Sequence, residues 1–428
     1  MLELPDMQNE TPTQAEKKKI VILGTGFGGI YTFLHLKKHL CDINAEITLV
    51  GKTNYFLFTP MLHEVATGGL NQEHIVESVR SIIKGSNAKF IQTSINSIDL
   101  TNKVVDTECC PLPYDYLVIA TGADTNTFGI QGVTEWCLDL KDLSDASKLR
   151  NLFIETFETA SKEPQIEEQK KLLSFAIVGG GATGVELAAE VSELFFETMD
   201  KYYPQINNGT ASVKLLSATS ELLLQFDPEL RKRALDSLQK KNVEVLLNSQ
   251  VTKVEEDGFI LSNGDRIPAT HKIWVAGVKP NTPKFDVEVE LDKAKRLVTN
   301  GDLRVKGRNE VFAIGDVASV QDKDGKALPM LAQVAVKQAK TVAENIAILC
   351  KGGSDPLSNF EYESSGSLVS LGQKDALGDL WGLKLHGPHI WWLWRTVYLM
   401  KMTSFKKMFK VAVDWTVNLF YPRDITKS

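Results

Sequence analysis

Short apolar runs alternate with stretches of helical spacing over most of residues 18–350. The run 18–23 is apolar and β-branched, ends at a glycine-rich turn, and precedes apolar positions with helical spacing over 30–40. This pattern predicts a strand, a tight turn and a helix. The same order recurs at 172–178, which is followed by more glycines and by a helix predicted from 185 to about 202.

The remaining apolar runs predict further strands and helices of the same alternating kind. The predicted strands are 46–50, 114–120, 212–216, 243–247, 272–275 and 310–314. Two longer segments predict a charged, helical connector over 141–171 and a helix over 330–349. Because such alternation is typical of parallel sheets, the predicted fold class is α/β, with two Rossmann-like dinucleotide-binding domains.

The two glycine-rich turns share the spacing GxGxxG. In such a turn the first glycine permits the bend, the second lets the backbone approach a pyrophosphate, and the third lets helix pack on strand. The helix N-terminus then stabilises the phosphate charge. A plain glycine turn is the alternative, but both turns here follow an apolar strand and open a helix, which favours phosphate binding. The candidate cofactor-binding residues are Gly24, Gly26, Phe27, Gly28 and Gly29 in the first turn and Gly179, Gly181 and Gly184 in the second.

The strand after each glycine turn lacks the acidic residue that usually binds ribose hydroxyls. The first such strand ends in Gly51 and Lys52, so the ribose must be held otherwise, and Lys52 is a candidate cofactor-binding residue. The second ends in Ser217, where a carboxylate would select NADH over a nucleotide with a 2′-phosphate. NADPH therefore stays open beside NADH.

A carboxylate, Asp316, comes directly after the apolar strand at 310–314. Asp316 can accept hydrogen bonds from the hydroxyls of a sugar alcohol, although an Asx turn or a helix cap explains it equally well. The order of motifs along the chain adds to this: first glycine turn, Thr121-Gly122, second glycine turn, the segment around Gly277, then Asp316. This order resembles that of the two-dinucleotide-binding-domain flavoprotein oxidoreductases.

That resemblance implies a domain organisation and roles for the motifs. The first turn would bind FAD, an inserted domain with the second turn would bind NAD(P)H, and Asp316 would contact the flavin ribitol. The implied segments are a leader over 1–17, an FAD-binding domain over 18–130 and 296–350, an NAD(P)H-binding domain over 131–295, and a C-terminal membrane-anchoring or dimerisation region over 351–428.

Residues 52–70 help to separate the subfamilies. Enzymes of the glutathione reductase type carry a CxxxxC pair there, whereas this segment contains no cysteine. Together with GVELA at 184–188 and AQVAVKQ at 332–338, it resembles the type II NADH:quinone oxidoreductases, from Lys18 to about Ile425. The resemblance implies that Ala332 and Gln333 belong to the quinone pocket near the flavin, and that Glu186 lies near the nicotinamide.

The implied catalytic residues are Glu186, Gln333 and Lys337. Lys337 stands where the family has a glutamine, and its ammonium can donate a hydrogen bond but cannot accept one. An ordinary helical first turn explains Gln333 and Lys337 as well, and the helix dipole explains an acid at Glu186.

The C-terminal segment 386–421 differs from the rest and resembles the membrane-anchoring tail of the same family. Helical spacing places Phe405, Met408, Phe409, Ala412, Trp415, Thr416, Leu419 and Phe420 on one face. The opposite face carries Lys406, Lys407, Lys410, Asp414 and Asn418. A basic amphipathic helix suits an anionic membrane surface, where each lysine contributes about 1 kcal/mol. A helix for domain packing or dimerisation is the alternative.

Composition excludes several classes of protein. The 428 residues, 43% hydrophobic and 24% charged, suffice for two or three globular domains. A net charge of -6 without a nucleic-acid motif argues against a nucleic-acid partner. Five scattered cysteines without a CxxC pair indicate neither a disulfide framework nor a zinc site. No stretch reaches 18 uncharged apolar residues, and 1–17 is predicted to be disordered.

Together these observations predict an FAD enzyme that takes hydride from NADH and reduces a membrane quinone without pumping protons. We expect a homodimer, bound peripherally at the cytoplasmic face of a bacterial inner membrane. Three alternatives stay open: a soluble NAD(P)H-dependent reductase of a protein or small acceptor, an enzyme like sulfide:quinone oxidoreductase that uses Cys137 and Cys350, and a redox sensor like apoptosis-inducing factor.

Overall fold

The computed structural model describes residues 17–39, 43–207, 209–323, 325–352 and 355–427. The predicted leader lies outside these residues, except for its last position. The chain forms two compact units, each built from three segments. The first unit contains the described residues up to Asn54, then Val79–Gly122 and Pro280–Tyr362. The second contains Tyr55–Ser78, Ala123–Lys279 and the described residues from Glu363 onward. The four-segment domain boundaries inferred from the sequence stay a prediction.

The helices of the described residues are numbered here in chain order. They are α1 (Phe27–Leu36), α2 (Leu62–Ala66), α3 (Val79–Ile83), α4 (Val133–Trp136), α5 (Leu143–Ala160), α6 (Ile166–Leu172), α7 (Ala182–Glu193), α8 (Asp200–Tyr202), α9 (Pro228–Lys240), α10 (Ala332–Cys350), α11 (Pro388–Met400) and α12 (Phe405–Val417). A π-helix over Leu194–Met199 joins α7 to α8.

The strands are numbered in the same way. They are β1 (Lys18–Leu23), β2 (Ala45–Gly51), β3 (Tyr55–Leu57), β4 (Val76–Ser78), β5 (Lys89–Gln92), β6 (Ile95–Asp99), β7 (Val104–Thr107), β8 (Leu112–Pro113), β9 (Tyr116–Ile119), β10 (Ala123–Thr125), β11 (Cys137–Leu138), β12 (Ser174–Val178), β13 (Ser212–Leu216), β14 (Val243–Leu246), β15 (Val251–Glu255), β16 (Gly258–Leu261), β17 (Arg266–Pro268), β18 (His271–Trp274), β19 (Val278–Pro280), β20 (Leu297–Val298), β21 (Val311–Ala313), β22 (Ala318–Ser319), β23 (Ser367–Ser370), β24 (Ala376–Leu380) and β25 (Leu383–His386).

A parallel five-stranded sheet forms the core of the first unit, in the order β21-β9-β1-β2-β5. Its central strand β1 is buried from Ile20 onward because apolar residues fill both of its faces. Helices α1 and α10 pack against each other beside the sheet. In α1 the buried residues Ile30, Phe33 and Leu36 recur every three residues, which is the spacing of a helix with one apolar face.

A second parallel five-stranded sheet forms the core of the second unit, in the order β11-β18-β12-β13-β14. Phe153 of α5 lies 5.5 Å, between ring centroids, from Phe175 of β12 and 5.5 Å from Phe195 of the π-helix. The charged connector predicted over 141–171 is therefore wrong in two respects: the segment is broken between α5 and α6, and α5 is a core helix. The predicted α/β fold with two Rossmann-like sheets is confirmed.

The C-terminal part of the second unit joins an antiparallel sheet to two helices. Strands β23, β24 and β25 pair in that order, and α11 and α12 follow them. Among the described residues, no helix has both the length and the apolar character needed to span a membrane.

Candidate active site

The first glycine turn is closely packed between β1 and α1. A Cβ atom built on Gly29 would lie 1.9 Å from the carbonyl oxygen of Gly24, and one on Gly24 would lie 2.1 Å from the carbonyl oxygen of Ala120. Packing within the protein therefore explains the first and third glycines. Gly26 differs, because nothing lies within 4 Å of its Cβ position. The protein leaves open the space where a pyrophosphate would approach the backbone.

The second glycine turn repeats this geometry in the second unit. A Cβ atom on Gly184 would lie 1.9 Å from the carbonyl oxygen of Gly179, whereas nothing lies within 4 Å of that position on Gly181. Gly26 and Gly181 are also the N-cap residues of α1 and α7, and neither helix has a side-chain cap. The backbone N–H groups of both first turns can therefore receive an anion, so both turns fit a dinucleotide phosphate.

Where each glycine turn meets the end of the next strand, one of the two facing residues has a side chain and the other is glycine. In the first unit the side chain of Thr25 lies 2.6 Å from the Cβ position of Gly51. In the second unit the glycine is on the turn instead, since Ser217 Oγ lies 2.4 Å from the Cβ position of Gly180. Each pair accommodates one side chain, which explains why residue 51 is a glycine while residue 217 has a hydroxyl.

Two residues predicted from these strand ends, Lys52 and Ser217, have different settings. Ser217 is buried, and its Oγ lies 2.9 Å from Thr219 Oγ1, so its hydroxyl is engaged within the protein. Lys52 is exposed at the end of β2, and its carbonyl oxygen accepts a hydrogen bond from Gln92 Nε2 at 3.0 Å. Neither position provides a carboxylate for a ribose.

The turn that carries Asp316 lies against the start of α10 in the first unit. The backbone N–H of Gly315 donates to Gln338 Oε1 at 2.7 Å, and the Cβ of Ala335 lies 3.3 Å from the Cβ position of Gly315. Ile314 in turn contacts the Cβ position of Gly28 at 3.3 Å. The structure thus brings the Asp316 turn, Ala335 and Gln338 of α10, and the first glycine turn together.

The residue that binds the Asp316 turn through an amide is Gln338 and not residue 337, where the resembling family has its glutamine. Lys337 Nζ lies over the ring of Tyr362, 5.4 Å from its centroid. Gln338 is buried, and its amide oxygen binds the turn of Asp316. An amide does lie beside this turn, one residue later than the position occupied by glutamine in the resembling family.

The two loops singled out around Thr121 and Gly277 are fixed by separate contacts. Thr121 Oγ1 donates to the carbonyl oxygen of Asn281 at 2.7 Å, and Asn281 N–H donates to the carbonyl oxygen of Gly122 at 2.9 Å. These bonds join two motifs of the first unit. In the second unit Gly277 has φ +91°, a left-handed conformation, and a Cβ atom there would lie 2.9 Å from the ring of Phe128.

Glu186 is buried on α7, close behind the second glycine turn. Its Oε1 accepts a hydrogen bond from Ser370 N–H at 3.1 Å, and its Oε2 lies 3.8 Å from His63 Nδ1. Burial, aided by the nearby carboxylates of Glu64 and Glu190 and opposed by the hydrogen bond from Ser370, raises the pKa of Glu186 to about 8. Burial also lowers the pKa of His63 to about 3. Near neutral pH, Glu186 is therefore a protonated acid beside a neutral imidazole.

A cluster of buried charges extends from Glu186 along α7. We call Glu64, Glu190, Glu193, Arg395 and Arg423 the C-terminal ionic cluster. Arg423 Nη1 lies 2.7 Å from Glu190 Oε2, and its Nη2 lies 3.0 Å from Glu193 Oε2. Glu193 also accepts from Lys241 Nζ at 2.6 Å. This cluster fixes the C-terminal segment to the helix that begins at the second glycine turn.

Two members of this cluster contact aromatic side chains. Trp415 Nε1 donates to Glu64 Oε2 at 2.6 Å, while burial raises the pKa of Glu64 to about 7. The guanidinium carbon of Arg395 lies 3.5 Å from the ring centroid of Trp391 and 4.7 Å from that of Trp415, which are cation–π contacts.

Sequence reasoning found Glu186 but missed the C-terminal ionic cluster beside it. A signal was present, because Glu186, Glu190 and Glu193 follow one another at intervals of four and three residues. Such residues lie on one face of a helix. Buried glutamates on an otherwise apolar helix must be paired with cations or be protonated. The position of Arg423 in the sequence does not show that it is the partner.

Two family models together match nearly the whole chain. Residues 18–339 match the pyridine nucleotide-disulphide oxidoreductase family, and residues 365–424 match the NDH2 C-terminal domain. The chain is similar to a probable NADH dehydrogenase of Dictyostelium discoideum, at 36% identity, over 96% of this chain and 91% of the relative. It is also similar to a type II NADH:quinone oxidoreductase of Mycobacterium tuberculosis, at 32% identity, over 97% of this chain and 91% of the relative.

Solved structures show the same relationship. The structure of NDH2 from Plasmodium falciparum in complex with NADH matches with a TM-score of 0.88 at 25% identity, over 96% of this chain and 100% of that chain. The sulfide:quinone oxidoreductase of Aquifex aeolicus matches with a TM-score of 0.71 at 20% identity, over 95% of this chain and 96% of that chain, which shows a shared fold alone.

Proposed function

Because the chain belongs to the type II NADH:quinone oxidoreductases, we propose that it oxidises NADH through bound FAD and reduces a membrane quinone, without pumping protons. The observation that carries this proposal is the pair of glycine turns, each of which leaves its middle glycine open to a phosphate. FAD, when bound, supplies hydride acceptance and two-electron transfer, while the protein supplies position and electrostatics.

Residues of the first unit would hold FAD. The N-terminus of α1 and the open backbone at Gly26 fit the pyrophosphate, and Asp316 would accept hydrogen bonds from sugar-alcohol hydroxyls. The further residues of this proposed site are Gly24, Phe27, Gly28, Gly29, Lys52, Thr121, Gly122, Ala332 and Gln333. Gln333 and Lys337 are also proposed to act on the quinone, by donating hydrogen bonds to its carbonyl oxygens.

Residues of the second unit would hold NADH. The N-terminus of α7 and the open backbone at Gly181 fit the pyrophosphate, with Gly179, Gly184, Ser217 and Gly277 completing the proposed site. Glu186 Oε1 accepts the Ser370 N–H, which leaves Oε2 to hold the proton. We propose that this protonated acid is the catalytic group of the second unit.

Stopped-flow absorbance tests both halves of the proposed reaction. Mixing the purified flavoprotein with NADH should bleach the flavin absorbance, and adding a soluble quinone should restore it. A parallel run with NADPH tests whether the lack of a carboxylate at Ser217 admits a 2′-phosphate. If NADH does not bleach the flavin, or if quinones do not restore it, the assignment is refuted.

Alanine at the second glycine of the second turn should affect NADH binding, whereas alanine at the third should affect stability. Gly181→Ala places a methyl group where the pyrophosphate approaches, so the KM for NADH should rise roughly tenfold or more while the melting temperature stays unchanged. Gly184→Ala instead meets the backbone of Gly179 and should destabilise the fold by about 1–3 kcal/mol or more. Steady-state kinetics and thermal melts separate the two. The phosphate assignment would be contradicted if Gly181→Ala had the melting temperature of the parent protein and also its KM for NADH.

The exposed aromatic stripe of α12 supports a membrane partner. We give this name to Phe405, Phe409, Val413 and Val417 of α12 together with Phe420 in the turn that follows it, a spacing close to one helical turn. Phe405 is 88% exposed and Phe409 is 71% exposed, whereas Trp415, which the sequence placed on the same face, is only 3% exposed. The exposed apolar surface therefore differs from the predicted face: it excludes Trp415 and includes Val413 and Val417.

The lysines of α12 are not all on a free polar face. Lys407 Nζ donates to the carbonyl oxygen of Glu73 at 2.5 Å, and Asp414 Oδ2 lies 2.5 Å from His74 Nδ1. Part of the polar face of α12 therefore packs on the segment that contains Glu73 and His74, within the second unit. Lys406 is exposed beside the stripe. We propose that the stripe enters the interface of an anionic membrane, with exposed lysine at the headgroup level.

Replacing both leading phenylalanines should weaken membrane binding. Each buried phenylalanine contributes on the order of 2 kcal/mol, so Phe405→Ser with Phe409→Ser should reduce binding to anionic liposomes by roughly a thousandfold. Liposome flotation measures this. Phe128→Ser, at an exposed phenylalanine outside the C-terminal segment, is the matched control and should float like the parent protein. Equal flotation of the double variant would refute the proposed contact.

We propose a homodimer bound through residues 386–421 to the cytoplasmic face of a bacterial inner membrane, where cysteines stay reduced. Light scattering in detergent and protease protection in membrane vesicles test these two statements. A soluble reductase of ferredoxin or another acceptor would leave the exposed aromatic stripe without a role, and it would show no flotation.

A further inference from the structure

Two adjacent cysteines, Cys109 and Cys110, form a close thiol pair in the first unit. They lie in the loop between β7 and β8, and their sulfur atoms are 3.0 Å apart. Cys109 is exposed and Cys110 is partly exposed, and both are free thiols. The two cysteines are neighbours in sequence and do not form a CxxC motif.

Thr107 organises this loop. Its Oγ1 donates to the carbonyl oxygen of Cys110 at 2.7 Å and lies 3.4 Å from Cys109 Sγ. The contacts with Cys110 and Thr107 lower the pKa of Cys109, whereas the contact with Cys109 raises the pKa of Cys110. The pair therefore consists of a more acidic thiol in contact with solvent and a less acidic thiol beside it. This is the arrangement of an attacking and a resolving cysteine.

The other described cysteines, Cys137 and Cys350, have thiols that burial makes less acidic. Burial raises the pKa of Cys137 to about 12 and that of Cys350 to about 11. Thiols react with oxidants as thiolates, so these two should react slowly. The same chain thus provides internal controls for the reactivity of Cys109 and Cys110.

We propose that Cys109 and Cys110 form a redox-modification site, which a peroxide oxidises to a disulfide between adjacent residues. In the first step the Cys109 thiolate attacks the peroxide, an S–O bond forms, and the O–O bond breaks with release of water. In the second step the Cys110 sulfur attacks the oxidised sulfur, the S–S bond forms as the S–O bond breaks, and the leaving hydroxide takes up the Cys110 thiol proton as a second water. The two thiols lose two electrons and two protons, and one hydrogen peroxide becomes two waters.

Such a disulfide should be easy to reduce. Adjacent α-carbons lie about 3.8 Å apart across a trans peptide, below the separation of roughly 4.4 Å or more that most disulfides adopt. Disulfides held outside their preferred geometry are the labile and regulatory ones. The site is therefore suited to reversible modification rather than to stabilising the loop.

Mass spectrometry of the complete flavoprotein after stoichiometric hydrogen peroxide tests this proposal. Cleavage after Glu108 and Glu135 releases both cysteines in one peptide that excludes Cys137. That peptide should lose the mass of two hydrogen atoms, and a thiol reductant should restore it. Cys110→Ser should stop at a sulfenic acid on Cys109 that dimedone traps, whereas Cys109→Ser should lose the remaining thiol roughly tenfold more slowly.

A second probe and a control variant make the result decisive. Phenylarsine oxide binds dithiols, and one equivalent should protect the pair from peroxide; Cys137→Ser should behave like the parent protein. The proposal is overturned if peroxide oxidises Cys137 or Cys350 as fast as the pair. It is equally overturned if Cys109 proceeds to sulfinic acid without forming the disulfide.

Discussion

Replacing Arg423 by methionine is expected to lower the free energy of unfolding of the second unit by about 3–5 kcal/mol. Methionine keeps much of the volume but leaves Glu190 and Glu193 as buried carboxylates without the guanidinium that bridges them. Urea unfolding followed by tryptophan fluorescence measures the loss. The probe is specific to this unit, because all seven tryptophans of the chain belong to it.

A matched control uses an arginine whose ion pair is exposed. Arg233 pairs with Glu229 on the surface of α9, and Arg233→Met should change the free energy of unfolding by less than about 1 kcal/mol. Adding Glu190→Gln and Glu193→Gln to the Arg423 variant should recover part of the loss, since the uncompensated charges are then removed. An Arg423 variant no less stable than the Arg233 variant would show that the buried pair contributes nothing.

The sequence predicted the two parallel sheets well because their strands are short, apolar and β-branched. It placed the first helix start less well: α1 begins at Phe27, three residues before the predicted position. Gly28 and Gly29 lie inside this helix, and glycine has a low helix propensity that hides a helix start. α7 shows the same effect, since it begins at Ala182 and contains Gly184. The function of the glycines is what misleads the helix prediction.

The segment predicted as a charged connector was misread for a different reason. Its buried positions, Leu149, Phe153 and Phe157, recur at four-residue intervals, but the charged residues between them dominate its composition. The helix ends at Ala160, and Pro164 precedes the next helix. Periodicity was the better guide here, because one apolar stripe is sufficient to place a helix against a sheet.

The candidate site could be predicted only where its residues are close in sequence. The glycine turns are local, so their geometry followed from spacing. By contrast, Trp415 donates to Glu64 across 351 positions, and Arg423 reaches Glu190 across 233. No pattern within α12 shows which part of its wide apolar face the rest of the chain covers. Tertiary contacts decide which aromatic residues remain for a membrane.

Replacing Glu186 by glutamine is expected to stabilise the second unit at alkaline pH and to leave its stability near pH 5 little changed. In the folded protein Glu186 has a pKa of about 8, whereas its ordinary value is 4.5. Between these values the folded state binds one more proton than the unfolded state, so stability falls as pH rises, by about 1.4 kcal/mol per pH unit. Glutamine is uncharged throughout and can still accept the Ser370 N–H. The variant should therefore gain roughly 3–5 kcal/mol over the parent between pH 5 and pH 9.

Urea unfolding at several pH values, again by tryptophan fluorescence, measures this difference. Subtracting the parent curve from the variant curve isolates Glu186, because Glu64, whose pKa is about 7, titrates in both proteins. The infrared band of a protonated carboxyl group should also be weaker in the variant at pH 7. Glu167→Gln, at an exposed surface glutamate, is the matched control and should give a difference that does not vary with pH. A flat difference for Glu186→Gln as well would mean that the Glu186 carboxyl is ionised in the fold, and that it cannot serve as the acid proposed for this site.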